Sequence, residues 1–154
     1  MKIHHLLKIC TLIIATTAVA PYSVADKHAD KPKYGFAGLL SKSNRETLPT
    51  LKLESGKSLS EAPIELRSGG YYVLPIKSDG SQELALTGSG FFRAIWINEV
   101  VVNDLEIRPY GVESFEFDDE GVLEIKFVAI KPGSYYLKVP GSKGESQRVS
   151  ITIK

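Results

Sequence analysis

Apolar and polar positions alternate with a period of two through most of the second half of the chain. Within GVLEIKFVAIKPGSYYLKVPG, Gly121 to Gly141, Leu123, Ile125, Phe127 and Ala129 fall on one side and Glu124, Lys126 and Val128 on the other. That is the spacing of a half-buried strand. Lys131-Pro132-Gly133-Ser134 separates this run, Val122–Ile130, from a second one, Tyr135–Val139. Proline pre-sets φ at the second position of a turn and glycine supplies positive φ at the third, so the pattern predicts a hairpin here. Two strands cannot bury a face alone, and the other layer must come from the rest of the chain.

Further strand patterns lie upstream. Leu51–Glu54 and Leu59–Leu66 alternate on either side of Ser55-Gly56-Lys57, with Pro63 compatible only with an edge. Tyr71–Lys77 runs into Asp79-Gly80, a strong hairpin signal, which makes Glu83–Thr87 its expected partner. Phe91–Ala94 follows the break Gly88-Ser89-Gly90 as a helical turn or a bulged loop. Ile95–Val102 has strand composition, Asn103-Asp104 suits a turn into Leu105–Arg108, and Ser114–Phe117 sets Phe115 and Phe117 on one face. Val149–Ile153 closes the sheet. About eight to ten short strands with regular turns, and no convincing helix, predict an all-β, two-sheet Greek-key sandwich.

The first residues change what this domain has to work with. Lys2, His4, His5 and Lys8 precede an apolar run, Ile9–Ala20, that is too short to span a bilayer. Ser23-Val24-Ala25 offers small residues where signal peptidase reads them, so residues 1–25 are expected to be an export leader cleaved before Asp26. A membrane anchor is the alternative, whereas Cys10 stands at the wrong end of the apolar run to carry a lipid. Export predicts a periplasmic or secreted protein with no stable transmembrane segment. Losing 25 of the 154 residues leaves 129, about one domain. Cys10, Met1 and two of the three histidines go with the leader. Of 19 basic residues Lys2 and Lys8 are lost, so 17 face 18 acids, a balance that draws the chain toward neither nucleic acid nor anionic lipid. Without cysteine the fold must be held by its core. Residues 26–50 are polar with no sustained apolar period, and read as a partly disordered lead in which Gly35–Leu40 docks as a short turn. The sandwich domain is expected over 51–154.

From Pro132 through Tyr135-Tyr136-Leu137-Lys138-Val139-Pro140-Gly141 to Val149–Ile153, the chain resembles the C-terminal part of a cupredoxin. The resemblance spans roughly Gly69 to Lys154 and is nearest to periplasmic cupredoxin-like proteins lacking the type 1 copper ligands. It implies a cupredoxin-like sandwich. Val139 stands where the family has its thiolate, Ser142 where it has histidine after Pro-Gly, and Gly144–Gln147 offers no methionine. Ile95–Val101 offers no upstream histidine either. A blue-copper site needs two His, a Cys and usually a Met, so type 1 electron transfer is excluded for the mature chain. Gly133-Ser134-Tyr135-Tyr136-Leu137 also resembles the tyrosine corner of immunoglobulin-like domains, which keeps an immunoglobulin-like sandwich open as the alternative.

Candidate chemistry is sparse. No nucleophile elbow, triad histidine, metal-ligand spacing or phosphate loop is present, so no enzyme is expected. Cleavage before Asp26 would give Asp26-Lys27-His28, whose free amine, amides and imidazole suit weak Cu(II) binding at the new N-terminus. Otherwise no cofactor is expected. Glu113, Glu116, Asp118, Asp119 and Glu120 form an acidic cluster without EF-hand spacing, read as a solvated strand face and turn. Tyr71, Tyr72, Tyr110, Tyr135 and Tyr136 belong mostly to the core, with each adjacent aromatic pair sending one ring inward. Phe91, Phe92, Arg93 and Trp96 follow a glycine-rich break and are the expected contact residues for a ligand or partner. The expectation is a non-enzymatic binding module for an envelope protein or small ligand. The alternatives are a metal-handling role through Asp26 and His28, and an immunoglobulin-like carbohydrate-binding or adhesion module.

Overall fold

A computed structural model describes residues 38–154. The leader, Asp26 and His28 lie outside the described residues. Eleven strands are present among them: β1 (Arg45–Thr47), β2 (Leu51–Leu53), β3 (Ile64–Leu66), β4 (Tyr71–Asp79), β5 (Leu84–Thr87), β6 (Ile95–Val102), β7 (Leu105–Ile107), β8 (Ser114–Phe117), β9 (Glu120–Ala129), β10 (Gly133–Lys138) and β11 (Arg148–Ile153). One helical turn, α1 (Ser89–Phe92), joins β5 to β6. The strands form two mixed sheets, one ordered β1-β4-β9-β6-β7 with β2 also on β4, the other ordered β3-β11-β10-β5-β8. Leu74, Ile76, Ile125 and Phe127 from the first sheet meet Leu66, Leu86, Leu137 and Ile151 from the second in a closed core. Among the described residues no helix is long and apolar enough to cross a membrane.

Alternation placed most of the strands, but the turn motifs misassigned two pairings. β4 does not pair with β5; it runs antiparallel to β9 along its whole length, from Tyr71 opposite Val128 to Asp79 opposite Glu120. Gly80 takes positive φ (68°), but Asp119 and the first residue of β9, Glu120, lie beside it and the chain crosses to the other sheet. Likewise β9 and β10 lie in different sheets, so the Pro132-Gly133 turn is a crossing between layers rather than a hairpin. A turn motif reports a local change of direction, and the edge the next strand finds depends on burial. Asn103-Asp104 does form the expected hairpin: both residues have positive φ (46° and 66°) and Val102 pairs with Leu105. This is the two-residue primed turn that asparagine and aspartate tolerate.

The sandwich begins before Leu51, because Arg45–Thr47 pairs in parallel with Tyr71–Val73. Three residues are too few for alternation to reveal a strand. β1 and β2 share the same edge of β4, with β2 opposite Ile76–Ser78. Pro75 lies opposite the gap between them. The Val73 carbonyl accepts the Leu48 N–H on that side (2.8 Å), so the backbone nitrogen of Pro75, two residues on, faces the same way. A strand interior normally excludes proline because it cannot donate to the ladder; here the edge is interrupted where the donor is missing. The expected strand Leu59–Leu66 is reduced to Ile64–Leu66. Leu59 instead turns inward, and its N–H donates to the Ser146 carbonyl (2.7 Å).

Two glycines are required by close approach. A methyl group on Gly88 would fall 2.6 Å from the Tyr136 carbonyl oxygen and 2.5 Å from Leu137 Cδ2, so α1 starts where the chain passes under β10. Gly88→Ala is expected to cost about 2 kcal/mol through overpacking against backbone that cannot yield. It should appear as a lower urea midpoint with an unchanged slope. At the other end of β10, the Tyr135 hydroxyl donates to the Lys131 carbonyl (2.9 Å) and passes over Gly133, where a side chain would meet it at 2.8 Å. Tyr135→Phe keeps the ring and removes this bond, and should lower stability by about 1 kcal/mol in the same titration.

Candidate functional site

Of the four side chains expected to contact a ligand, the structure buries two. α1 turns Phe91 and Phe92 into the core, with Phe91 edge-on to Phe127 (5.6 Å between ring centres) and Phe92 edge-on to Phe115 (5.8 Å). They are corrected to core residues. A glycine-rich break suggested an exposed loop, but one helical turn swings both rings under the sheet edge. Tyr71 and Tyr72 are both buried, but only Tyr72 joins the core between the sheets, as expected of one ring inward per pair, and of the second pair Tyr136 is exposed and Tyr135 half-buried.

Arg93 and Trp96 are exposed. Arg93 is the first residue after α1 and pairs loosely with Glu113 (3.7 Å) across a shallow, open cleft of about 570 Å³. Phe92 and Ile95 lie at its base, and Tyr110, Gly111, Val112 and Glu113 form the opposite wall. Tyr110 is fully exposed. It stands between Pro109 and Gly111, two residues that end strands, so its exposure was readable from its neighbours. Trp96 leads outward from the same end of β6, opposite Val128 of β9. The cleft thus combines an apolar base, a solvated ion pair and one exposed aromatic, Tyr110, while Trp96 lies outside its lining. It offers contact area and orientation. It presents no nucleophile–base pair and no buried acid.

Next to it, a bulge between Ile97 and Glu99 changes the parity of β6. Asn98 is the extra residue, and its amide donates to the Tyr71 hydroxyl (3.2 Å). Glu99 is thereby set opposite Lys126. Glu99 is 6% exposed, and its carboxylate accepts from Lys126 Nζ (2.7 Å) and from the Arg108 guanidinium (3.1 Å). The hydrogen bond it donates to Glu99 holds the Lys126 ammonium above its usual pKa, and partial burial opposes it. No spacing rule singled out Glu99 or Lys126, because the bulge that joins them is silent in the sequence. Bulges commonly re-aim side chains in this way.

At the pole where the sequence resemblance would put copper, the residues do not fit that ion. Residues 38–154 contain no histidine, cysteine or methionine. Val139 is buried and its N–H donates to the Gln147 carbonyl (2.9 Å), while the Gln147 amide donates to the Lys57 carbonyl (2.6 Å). The loop is closed by one side-chain and one backbone hydrogen bond to the Lys57–Leu59 segment rather than held around a ligand. In the acidic cluster, Asp119 accepts the Glu120 N–H (2.7 Å) and Glu113 faces Arg93. Among the described residues no group of three or more His, Cys, Asp or Glu is placed to hold a metal ion.

No family model and no curated protein sequence matches the chain. Solved structures do. A multi-copper oxidase from Pseudomonas Thermotolerans superposes with a TM-score of 0.54 at 17% identity, over 73% of this chain and 30% of that one. A multicopper oxidase from Campylobacter jejuni, described as a metallo-oxidase, gives 0.45 at 7% identity, over 63% and 21%. A blue copper oxidase from Nitrosomonas europaea gives 0.46 at 12%, over 60% and 30%. The chain therefore spans less than a third of the length of these proteins. The first likeness shows the fold: a cupredoxin-like β-sandwich, as found in multicopper oxidase domains. The immunoglobulin-like alternative gives way to it, and the bond from Tyr135 to Lys131 is a tyrosine corner set in a cupredoxin-like frame.

Proposed function

We propose that the chain is an exported, non-enzymatic cupredoxin-like binding module without a type 1 copper site, which engages an envelope protein through the cleft at the start of β6. The observation that carries this reading is a fully exposed Tyr110 beside the loose Arg93–Glu113 pair around one apolar base, with the half-exposed Trp96 outside that lining at the same end of β6. Amphipathic aromatics and arginine, desolvated together, supply most of the energy in protein interfaces. The absence of imidazole and thiol from residues 38–154 supports a role outside copper electron transfer, and the leader pattern supports export. Fold likeness to oxidases assigns no chemistry to this chain.

The test is affinity capture from the native envelope with the secreted chain, comparing wild type with a Trp96→Ala/Tyr110→Ala variant of unchanged circular dichroism. Each truncation is expected to remove about 2 kcal/mol, roughly thirtyfold in affinity, so a band held by wild type should be lost. Equal capture by both proteins would refute the site. Intense blue absorption after copper loading would refute the copper-free reading independently.

A further inference from the structure

The second sheet ends at β3, and the outer edge of that strand is open. On the β11 side the Leu66 carbonyl accepts the Lys154 N–H (2.8 Å). Backbone groups alternate in direction along a strand, so Glu65 turns its N–H and carbonyl the other way. No described residue takes them up. The open stretch is bounded at both ends. Pro63 faces the same way with a carbonyl and no N–H, and the Arg67 N–H is already donated to the Tyr72 hydroxyl (2.9 Å). In the first sheet the corresponding side of β2 is closed, because the Lys52 N–H donates to the Leu59 carbonyl (3.0 Å). Between the β3 edge and the β1–β2 edge lies a cleft of about 760 Å³, larger than the one at Arg93 and sharing no residue with it.

We propose that β3 receives an extended basic segment of a partner protein, which adds to the second sheet as an antiparallel strand. In that arrangement one partner residue exchanges both hydrogen bonds with Glu65, and the next but one donates to the Pro63 carbonyl. Side chains of an added strand alternate between its two faces. Ile64 and Leu66 belong to the core, so Glu65 points outward, and the partner residue opposite it does too. The neighbours of that residue point into the cleft, where Leu48, Leu59 and Ile64 form an apolar base. Charge selects the partner. Four carboxylates line the cleft, from Glu46, Glu54, Glu61 and Glu65, against two ammonium groups, from Lys52 and Lys57. Glu65 also pairs with Lys154 (2.8 Å), but both side chains are more than half exposed, so that pair is weak and a second cation adds to it. A second copy of this chain fits less well, because a two-fold β3–β3 contact centred on Glu65 sets like charges opposite each other. This inference stands whether or not the cleft at Arg93 binds a partner.

The probe is a capped heptapeptide alternating valine and lysine, titrated into the secreted chain and followed by amide NMR. The Glu65 amide is expected among the most displaced, with those of Arg93 and Glu113 unmoved. Methylating the backbone nitrogen of each lysine removes the donors that face β3 and should weaken binding at least about tenfold. Methylating the backbone nitrogens of the valines, which face solvent, should leave binding intact. A valine–glutamate heptapeptide should bind at least about fivefold more weakly than the lysine peptide. Glu65→Lys should reverse that preference, and the comparisons among peptides need no variant to fold. Absence of binding, equal binding of the two methylated peptides, or equal binding of the lysine and glutamate peptides would overturn the proposal. So would an unchanged preference in Glu65→Lys, or a Glu65 amide that shifts with protein concentration alone, the sign of β3 pairing with a second copy.

Discussion

Phe91→Ala is expected to destabilise the sandwich by roughly 3 to 5 kcal/mol, the range for removing a buried aromatic side chain. Phe91 is 1% exposed and sits at the hub of a ring cluster, edge-on to Phe127 at 5.6 Å and tilted toward Phe92 at 5.9 Å and Tyr135 at 6.4 Å. Phe127 in turn meets Tyr72 at 5.8 Å. Because α1 spans only Ser89–Phe92, it has no independent helical stability, and its place depends on these rings. The cavity would therefore lie at the crossing from β5 to β6, beside the cleft at Arg93. Urea titration measures the loss. Phe91→Leu retains most of the volume and should recover more than half of it. A ligand-contact residue would behave differently: Phe91→Ala would leave stability near wild type and weaken binding alone.

Glu99→Ala should cost about 3 kcal/mol, toward the low end for breaking a buried ion pair, because Arg108 can swing into water while Lys126 cannot. The Lys126 side chain is 17% exposed and loses its 2.7 Å partner. Glu99→Gln keeps an acceptor and should lose about half as much. The sign of the pH dependence follows from the raised lysine pKa. Stability from this pairing is complete below the ordinary lysine value near 10.5 and is lost as pH rises through the higher folded value. The difference between wild type and Glu99→Ala should be flat from about pH 6 to 9 and shrink above about pH 10.5. Thermal unfolding of both proteins across that interval measures it, and a difference that widens in alkali would contradict the assignment.

These two side chains show where sequence reasoning reaches its limit. Phe91 and Phe92 stand after Gly88-Ser89-Gly90, a stretch whose composition reads as loop, and loops carry contact residues. Whether a ring after such a break points out or in depends on what passes above it. Here β10 passes so closely that residue 88 must be glycine. For β6 the difficulty is parity. Counting by twos from Ile95 through Ile97 would drive Glu99 into the core, and only the slip at Asn98 returns it to the face that Lys126 shares. The same slip brings Val100 inward. Trp96, ahead of the slip, was placed on the outside correctly.

Apart from β1 and the shortened β3, the strand positions, the all-β class and the turn at Asn103-Asp104 were determined by the sequence alone. Each is local: alternation and left-handed backbone tolerance involve residues a few positions apart, and no distant partner is needed to read them. Tertiary structure decided which edges meet, so that Asp79-Gly80 and Pro132-Gly133 became crossings between layers rather than hairpins. It also decided that Pro75 faces a gap, that Glu99 meets Lys126, and that Tyr110 and Arg93 share a cleft while Phe91 does not. Those outcomes follow from burying one continuous core, a condition that no single window of the chain contains.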